Sequence, residues 1–378
     1  MRTWCKARTG PVGALLFLLL LLNGSLLVAL PVKELGAAEP KPDIAPLPDA
    51  KPVNKEMAEL GRFLYFDNRI SGDWGTSCAS CHDPAKGWAD GQALSRGYTS
   101  VEYFRNAPTL LNAKYRARFM WDGRLDGSDL GTLVRDMVTE AHFMNADGRI
   151  VQERLKQVPE YVARWEKIFG KNSDPYSPRM FNVIAEFVKT IESRNAPIDR
   201  FLKGDDSALS SPAKQGLDLF RSKANCVSCH HGPLASDGKL HRLGVPENPE
   251  VLKNPLRTIT MLRHYSTSGM PNYMNARSDV GAYAITKDNR DIGKFVTPSL
   301  RDLKYTAPYM HNGVFTTLQE VVEFYDRGGG PGSELKALNL SAAEKKALVV
   351  FLEAMSGDPV EVKAPEMPDM KARAFGKN

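Results

Sequence analysis

Four of the five cysteines in this chain of 378 residues belong to two motifs of the same type. The first motif is "CASCH" at residues 78–82, and the second is "CVSCH" at residues 226–230. Only Cys5 lies outside them, in front of a long apolar run near the start of the chain. Each motif therefore brings two thiols and one imidazole together within five residues, and the site that it forms should use all three groups.

Three kinds of site contain a C-x-x-C pair. A disulfide or thioredoxin-like pair uses the two cysteines alone, and a zinc site needs two further ligands nearby. A covalently bound c-type haem uses the histidine as well, because the thiols add to the haem vinyl groups and the imidazole becomes the proximal iron ligand. The repeated histidine favours haem. The sequence thus predicts two covalently bound c-type haems, attached by Cys78, Cys81, Cys226 and Cys229, with His82 and His230 as iron ligands.

The first motif has no nearby second histidine that could complete the coordination of its iron. An iron with two protein ligands transfers electrons, whereas an iron with an open face can bind peroxide or oxygen. No histidine occurs between His82 and His142. We therefore expect the first haem to be open to small ligands on its distal side.

Helices are the elements that must position both motifs. Apolar residues recur at helical spacing around residues 57–64 and 184–191. Ser211, which is followed by proline, predicts the start of a helix that leads into the second motif. The sequence "SAAE" at residues 341–344 is a capping box, and residues 231–300 are rich in loop formers. The predicted fold class is mainly α, with two cytochrome c-like haem domains and long irregular loops.

Each half of the chain contains one motif after a helix, which predicts two similar domains. The N-terminal haem domain would cover residues 55–200, and the C-terminal haem domain residues 201–357. Residues 39–54 are rich in proline and typical of an extended linker. Residues 358–378 contain many proline and lysine residues and are predicted to be a flexible tail.

The start of the chain has the pattern of a secretory signal. Arg2, Lys6 and Arg8 precede an apolar run, and a small-residue segment ends at Ala38. An uncleaved membrane anchor is the alternative, but the polar or small residues 23–25 interrupt the apolar run. We therefore predict a signal peptide over residues 1–38, a periplasmic location, and no stable membrane insertion after cleavage.

The charge of the mature chain is modest. Removal of the predicted signal takes away four positive charges and one negative charge, so the formal net charge falls from +6 to +3. This charge is too small to indicate nucleic-acid binding.

Taken with these motifs, the sequence resembles the bacterial dihaem cytochrome c peroxidase and MauG family over nearly all of residues 55–357. The similarity extends well beyond the two haem motifs. The stretches that carry it are "LGRFLYFDNRIS" before the first motif, "RNAPTLLN" and "FMWDGR" after it, "HHGP" at the second motif, "TPSLRDLKYTAPYMHNG" and "LQEVVEFYDRGG".

The resemblance implies different roles for the two domains. Peroxide would react at a high-spin haem in the N-terminal domain, and a six-coordinate haem in the C-terminal domain would pass electrons. Trp121 would relay electrons between the haems, although a packed core indole is the plain alternative. Asn106, Thr306 and Pro308 match the family's calcium site, and a solvated turn is the alternative there. His311 would lie beside the second haem without ligating it.

Tyr325 stands where the family's peroxidases have a ligating methionine and MauG-type enzymes have a tyrosine. A phenolate is a hard anionic donor that favours high-valent iron, whereas a thioether favours the reduced state. Tyr325 as the second iron's sixth ligand therefore favours MauG-like chemistry. The alternative is a tyrosine on a helix face, with Met310 or His264 as the real ligand.

Two departures from the family pattern concern catalysis. Leu133 and Phe143 occupy the positions of the glutamine and glutamate that line the peroxide pocket in the family. Glu140 or His142 would then have to move the proton between the peroxide oxygens. Ala224 replaces a surface-directed tryptophan of MauG, so any radical route through the protein must differ.

The sequence therefore predicts a periplasmic dihaem oxidoreductase that reacts with hydrogen peroxide and draws electrons from a partner protein. The partner would be a cytochrome, a cupredoxin or a protein that becomes modified, and Tyr325 favours the last. One alternative is an ordinary cytochrome c peroxidase with a small cytochrome donor. The other is a dihaem electron carrier without catalysis, in which both irons are six-coordinate.

The first prediction concerns haem attachment. Each thioether needs one thiol, so Cys226→Ala should weaken covalent attachment of the second haem, whereas Cys5→Ala should leave the mature protein unchanged. The measurement is the mass of the purified protein under denaturing conditions. A wild-type mature protein that carries one covalent haem would contradict the assignment of both motifs.

Overall fold

Helices dominate the described part of the chain, residues 42–98, 101–175 and 179–371 of the computed structural model. The predicted signal peptide lies outside these residues. None of the described helices has the length and apolar content needed to cross a membrane. The α-helices are α1 Lys55–Phe66, α2 Leu130–Thr139, α3 Gly148–Lys156, α4 Pro159–Phe169, α5 Arg179–Val188, α6 Pro197–Leu202, α7 Ser211–Arg221, α8 Glu250–Lys253, α9 Pro255–Thr267, α10 Tyr283–Thr286, α11 Leu318–Asp326 and α12 Ala342–Glu353.

Short strands form two antiparallel ribbons within the described residues. Strand β1 (Arg118–Phe119) pairs with β2 (Leu125–Asp126), and β3 (Leu240–Arg242) pairs with β4 (Lys294–Val296). The turn between β1 and β2 contains Trp121. The predicted mainly α fold is therefore confirmed, and the strands serve only to fix two loops.

The core of the N-terminal half is built on the contact between α1 and α5. Asn54 caps α1 by accepting hydrogen bonds from the backbone N–H groups of Glu56 and Met57. Leu60 and Leu64 of α1 and Phe187 of α5 are buried in this core. The helical spacing predicted around residues 57–64 and 184–191 thus marks the two faces that meet, although α5 ends at Val188.

The core of the C-terminal half is built on the contact between α7 and α12. Ser341 and Glu344 form the predicted capping box at the start of α12. The N-cap of α7 is Ser210, one residue before the predicted start, because its side chain accepts the Ala213 N–H. Leu217 and Phe351 are buried in this core. The last turn of α7 leads directly to the second cysteine motif.

These two cores divide along the chain close to residue 200, but they are not independent. A third apolar cluster joins Phe104 from the N-terminal half to Met261 and Tyr265 of α9. Residues from Pro42 onward form one compact unit. The division into two haem domains therefore stays a prediction.

The segment 231–300, predicted to be a long loop, contains α8, α9 and α10. Helix α9 is thirteen residues long, begins after the capping residue Asn254, and has Pro255 at its first position. Its buried stripe mixes apolar side chains with Thr260 and His264, so its periodicity is weak in the sequence.

The segment predicted to be a flexible tail is bound to the N-terminal half through residue 371. The indole N–H of Trp88 donates to the Val360 carbonyl at 2.8 Å, and Arg69 Nη1 donates to the Pro368 carbonyl at 2.9 Å. The Lys371 N–H donates to the Gln157 carbonyl. This segment lacks helix and strand, which explains why its composition suggested a tail, but these contacts correct that expectation.

The second prediction concerns the two helix contacts. A Cβ added at Gly61 would lie 2.2 Å from the Val183 carbonyl oxygen, and one at Gly216 would lie 2.2 Å from that of Ala347. Gly61→Ala and Gly216→Ala should each lower the free energy of unfolding by about 1–3 kcal/mol, because the helices must separate. Chemical denaturation of the haem-loaded protein measures the change.

Gly148 supplies a matched control at the start of α3. A Cβ there meets no atom within 4 Å. Gly148→Ala should be neutral or stabilise the protein by up to about 1 kcal/mol, since alanine favours the helix. Equal effects of all three substitutions would contradict the close helix contact.

Candidate haem sites

The first motif folds into a 3₁₀ turn over Cys78–Ser80. The His82 N–H donates to the Cys78 carbonyl at 3.0 Å, which brings the imidazole back beside the thiols. Nδ1 of His82 lies 3.2 Å from the carbonyl oxygen of the buried Trp88. The Tyr65 hydroxyl donates to the His82 carbonyl at 2.5 Å. Hydrogen bonds therefore fix His82 both at its backbone and at one ring nitrogen.

The second motif repeats this arrangement with a 3₁₀ turn over Cys226–Ser228. The His230 N–H donates to the Cys226 carbonyl at 2.8 Å. Nδ1 of His230 lies 2.8 Å from the carbonyl oxygen of Ala235, a buried residue with a positive φ of 48°. Burial lowers the pKa of His230 to about 4, so its imidazole is neutral near pH 7.

Both histidines therefore present the same nitrogen to a metal. A backbone carbonyl can only accept, so it fixes the proton on Nδ1 and leaves the Nε2 lone pair available. The cysteines are free thiols, which disfavours a structural disulfide. Among the described residues, one cluster of three metal-binding side chains occurs, Cys229, Asp237 and His241, and it lacks a fourth ligand for structural zinc. The arrangement fits haem better than the alternatives.

A cavity of about 870 Å³ lies against the second motif. Cys226, Cys229 and His230 line one part of it, and Tyr325 lines another. Its volume is near the upper end of cofactor and ligand pockets, about 300–1,000 Å³. A haem attached at these cysteines fits this cavity, which is also lined by many apolar side chains.

Tyr325 lies on α11, which begins at a capping box formed by Thr317 and Glu320. Its hydroxyl makes no hydrogen bond with any residue that the structure describes. Burial first, and then the nearby thiols of Cys226 and Cys229, raise the pKa of Tyr325. A hydroxyl without a protein partner that lines the same cavity as His230 suits a second ligand of the iron.

The two alternative ligands of the second iron have different surroundings. Met310 lines the same cavity as Tyr325. His264 does not, because its Nε2 lies 3.3 Å from Asp122 Oδ2 and its ring packs against Phe104. His264 is therefore placed for another role.

Trp121 also lines the cavity of the second motif. Its indole N–H donates to the Asn106 carbonyl at 2.9 Å, and its ring meets that of His311 edge to face at 6.5 Å between centroids. His311 in turn stacks on Phe295 at 3.7 Å. The indole is therefore fixed at the border of this cavity, as an electron relay would have to be.

The three residues of the predicted calcium site all line that cavity. Asn106 is buried, and its side-chain amide donates to the Gln92 carbonyl at 2.8 Å. Its Oδ1 and the carbonyl oxygens of Thr306 and Pro308 accept no hydrogen bond from the described residues. Free oxygen ligands of this kind suit a hard cation.

Glu140 and His142 form a close pair after α2. Glu140 Oε2 lies 2.8 Å from His142 Nε2 and 3.6 Å from Arg124 Nη2. Burial opposes ionisation of Glu140, but His142 and Arg124 together lower its pKa. The pair combines a carboxylate with an imidazole, which is a combination that can move protons.

Apolar, well-packed residues occupy the positions at which this sequence departs from the family pattern. Leu133 is buried in the first core, and Phe143 packs against the third cluster. Ala224 is buried in the second core. None of these side chains can exchange a proton, so the titratable groups must come from elsewhere.

Sequence reasoning missed a buried ionic network around Arg105. Arg105 donates to Asp279 at 2.6 and 2.8 Å and to Asp122 at 2.6 Å. Asp122 also pairs with Arg124 at 3.0 Å. The charged pair in "WDGR" at residues 121–124 was the available signal, but its partners lie far away in the sequence.

Comparison with known proteins identifies the family. Residues 55–207 match the family described as di-haem cytochrome c peroxidase. The cytochrome-c peroxidase IdrP2 of Pseudomonas sp. (strain SCT) is 66% identical over 336 residues, covering 89% of this chain and 91% of that protein. The chain belongs to the di-haem cytochrome c peroxidase family. The methylamine utilization protein MauG of Methylorubrum extorquens is 32% identical over 334 residues, covering 87% of this chain and 86% of MauG.

A solved structure with a similar fold supports the same family for this di-haem peroxidase. A MauG-like protein associated with microbial copper homeostasis superposes with a TM-score of 0.68 and 26% identity. The match covers 86% of this chain and 95% of that one. The chain is therefore an oxidoreductase of the peroxidase type with haem cofactors.

The third prediction concerns calcium. If Asn106, Thr306 and Pro308 hold the ion, chelation should lower the rate of the reaction with peroxide, and added calcium should restore it. The physical reason is that the Asn106 carbonyl also positions the Trp121 indole. Metal analysis and the peroxide rate are measured before and after chelation.

Asn106→Leu should abolish calcium binding, and Asn248→Ala is its matched control. Asn248 is also buried, and its amide donates to a backbone carbonyl, that of Asn312, at 3.0 Å. It does not line the cavity. Asn106→Leu protein that retains calcium would reject this site.

Proposed function

We propose that this di-haem peroxidase reduces hydrogen peroxide to water in the periplasm, with electrons from a small redox protein such as a cytochrome or cupredoxin. The observation that carries the proposal is the pair of equivalent cysteine–histidine sites, the second of which has Tyr325 as a candidate sixth ligand. The 66% identity to a protein named cytochrome-c peroxidase supports the same reaction.

The first site would bind the haem at which peroxide reacts. Cys78 and Cys81 would form its thioethers, and His82 Nε2 would ligate its iron. A haem held in this way supplies an iron with one open face, which can bind and reduce peroxide. The Trp88 carbonyl keeps the His82 imidazole oriented, because it binds Nδ1 and leaves Nε2 free.

The second site would store and transfer electrons. Cys226 and Cys229 would attach the haem, and His230 and Tyr325 would ligate its iron. Trp121, which lines this cavity, would carry electrons towards the first site. Because the Asn106 carbonyl holds its indole, the distance between Trp121 and the second site would stay constant.

The reaction consumes two electrons and two protons for each peroxide and releases two waters. The donor protein supplies the electrons one at a time. Glu140 and His142, 2.8 Å apart, would move the proton between the peroxide oxygens in place of the family's glutamate. This assignment follows from the apolar side chains of Leu133 and Phe143 at the usual positions.

MauG-like oxidation of a partner protein is the second candidate. Tyr325 favours it, since a phenolate ligand stabilises high-valent iron better than a thioether does. The buried Ala224 gives no surface-directed aromatic side chain at the corresponding position. We therefore place peroxide reduction first.

The fourth prediction tests this function through Tyr325. The haem-loaded wild-type protein should oxidise a reduced small cytochrome with two equivalents per peroxide, measured by stopped-flow absorbance. Tyr325→Phe should change the ferric spin state of the second haem, and Tyr325→Met should raise its potential. Both follow from loss of an anionic ligand that stabilises ferric iron.

Tyr161→Phe is the matched control, because this buried hydroxyl donates to Asp67 at 2.6 Å in the N-terminal core. It should lower stability and leave the ferric spectrum unchanged. A wild-type protein that consumes no peroxide with any small donor, yet oxidises a specific partner protein, would favour MauG-like chemistry. An unchanged spectrum and potential in Tyr325→Phe would remove Tyr325 from the ligand set.

A further inference from the structure

Four buried polar atoms that make no well-aligned hydrogen bond lie in one cluster beside Glu140, although a carboxylate oxygen lies within ion-pair distance of three of them. Nine such side-chain atoms occur among the described residues, so this cluster holds almost half of them. Native proteins satisfy most buried polar groups, and ordered water is one of the partners that complete a poorly aligned cluster. The atoms are the hydroxyl oxygen of Tyr103, Nη2 of Arg124, Nε2 of His142 and Nε2 of His264.

Ring contacts hold the members of this cluster together. His142 is stacked on Tyr103 at 5.7 Å with an interplanar angle of 5°, and it meets His264 edge to face at 6.1 Å. The two histidines have only 5% and 2% of their surface exposed. They are therefore neighbours in an environment that is largely closed to bulk solvent.

The cluster is connected to the first haem site. The Cys81 thiol lies 3.1 Å from the Arg96 carbonyl, and the adjacent Ser95 pairs with Tyr103 through the backbone. A Cβ added at Gly97 would meet the His142 carbonyl at 2.0 Å. Tyr103 and the backbone at His142 thus both pack against residues 95–97, the segment that contacts the first motif.

Each histidine has a carboxylate beside it. Glu140, whose side chain is 32% exposed, lies next to His142 and gives the cluster access to solvent. Asp122 is buried, lies 3.3 Å from His264, and follows Trp121 directly in the chain. The order from the surface inward is Glu140, His142, His264 and Asp122.

We propose that His142 and His264 are bridged by water and deliver the two protons that each peroxide consumes, with Glu140 reloading them from solvent and Asp122 holding His264. His264 acts through His142 and is a relay residue, not a group that contacts peroxide. This inference rests on the proposed peroxidase function, which supplies the demand for two protons.

Two opposing effects act on the charge of His264. Burial first lowers the pKa of His264, and Asp122 opposes that shift, so the imidazole can be neutral at rest. Several charged and titratable groups face the relay: Tyr103, Arg105, Asp122, Arg124, Glu140, His142, Tyr265 of α9 and Asp279. Arg257, also on α9, pairs with Glu102 on the far side of Tyr103.

His264→Asn tests the relay. With a reduced donor and saturating peroxide, we expect kcat at pH 8 to fall on the order of tenfold or more. The loss should be smaller near pH 5, where protons from bulk water partly replace the relay. The solvent deuterium isotope effect on kcat should increase, and imidazole should partly restore the activity of His264→Gly.

Tyr265→Phe is the control on the same helix, since it keeps the ring beside His264 and removes only a hydroxyl that hydrogen-bonds Asp279 at 3.2 Å and neither histidine. It should keep the wild-type pH profile. A loss in His264→Asn that is equal at all pH values, without an isotope effect or imidazole rescue, would show a structural role only and overturn the proposal.

Two further outcomes separate this inference from the proposed function. Wild-type protein that consumes no peroxide rejects the function itself, whereas active wild-type protein with an unaltered His264→Asn profile rejects only the relay. If the variants do not fold, a crystal structure of the haem-loaded wild type decides. Water between the two imidazoles supports the relay, and a dry contact overturns it.

Discussion

The buried charge of Arg105 constrains the arrangement of both halves of this peroxidase. The guanidinium is 1% exposed and would be strongly destabilising without matched partners. Asp279 accepts two hydrogen bonds from it, and Asp122 accepts one. Phe104 and Phe295 pack on it at 4.9 and 5.8 Å, which excludes water and strengthens these ion pairs. The turn that carries Trp121 is thereby bound to a segment from the other half of the chain.

The chain ends add a second connection between the halves. Ile44, in the segment predicted to be a linker, is buried in the C-terminal core, whereas Val360 and Val362 pack against the N-terminal core. The segment after α12 reaches Trp88, whose carbonyl orients His82 and whose indole binds Val360. Trp88 thus joins His82, the proposed haem ligand, to the segment after α12. Either half expressed alone would expose the apolar surface that the other half covers.

The features that could be predicted from the sequence are formed by residues that lie close together in the chain. A c-type haem motif is complete within five residues, and a helix face or a capping box within one or two turns. Other features depend on contacts between residues that are distant in the sequence. They are the packing of Ile44 and Val360 on opposite cores, the Arg105 network and the position of His264. Arg105 and Asp279 are 174 residues apart, and no local pattern indicates that they meet. His264 was considered only as an iron ligand for the same reason.

Ligand identity and catalytic class are separate properties of this enzyme. A phenolate from Tyr325 would lower the potential of the second haem, which makes that haem harder to reduce but also keeps its oxidised form stable. Whether the oxidising equivalents then reach a small donor or a modified protein depends on the path to the surface. Ala224 is buried in the second core and supplies no aromatic step there. A tyrosine-ligated haem is therefore compatible with ordinary peroxide turnover, provided that the donor binds where electrons can enter without a tryptophan at that position.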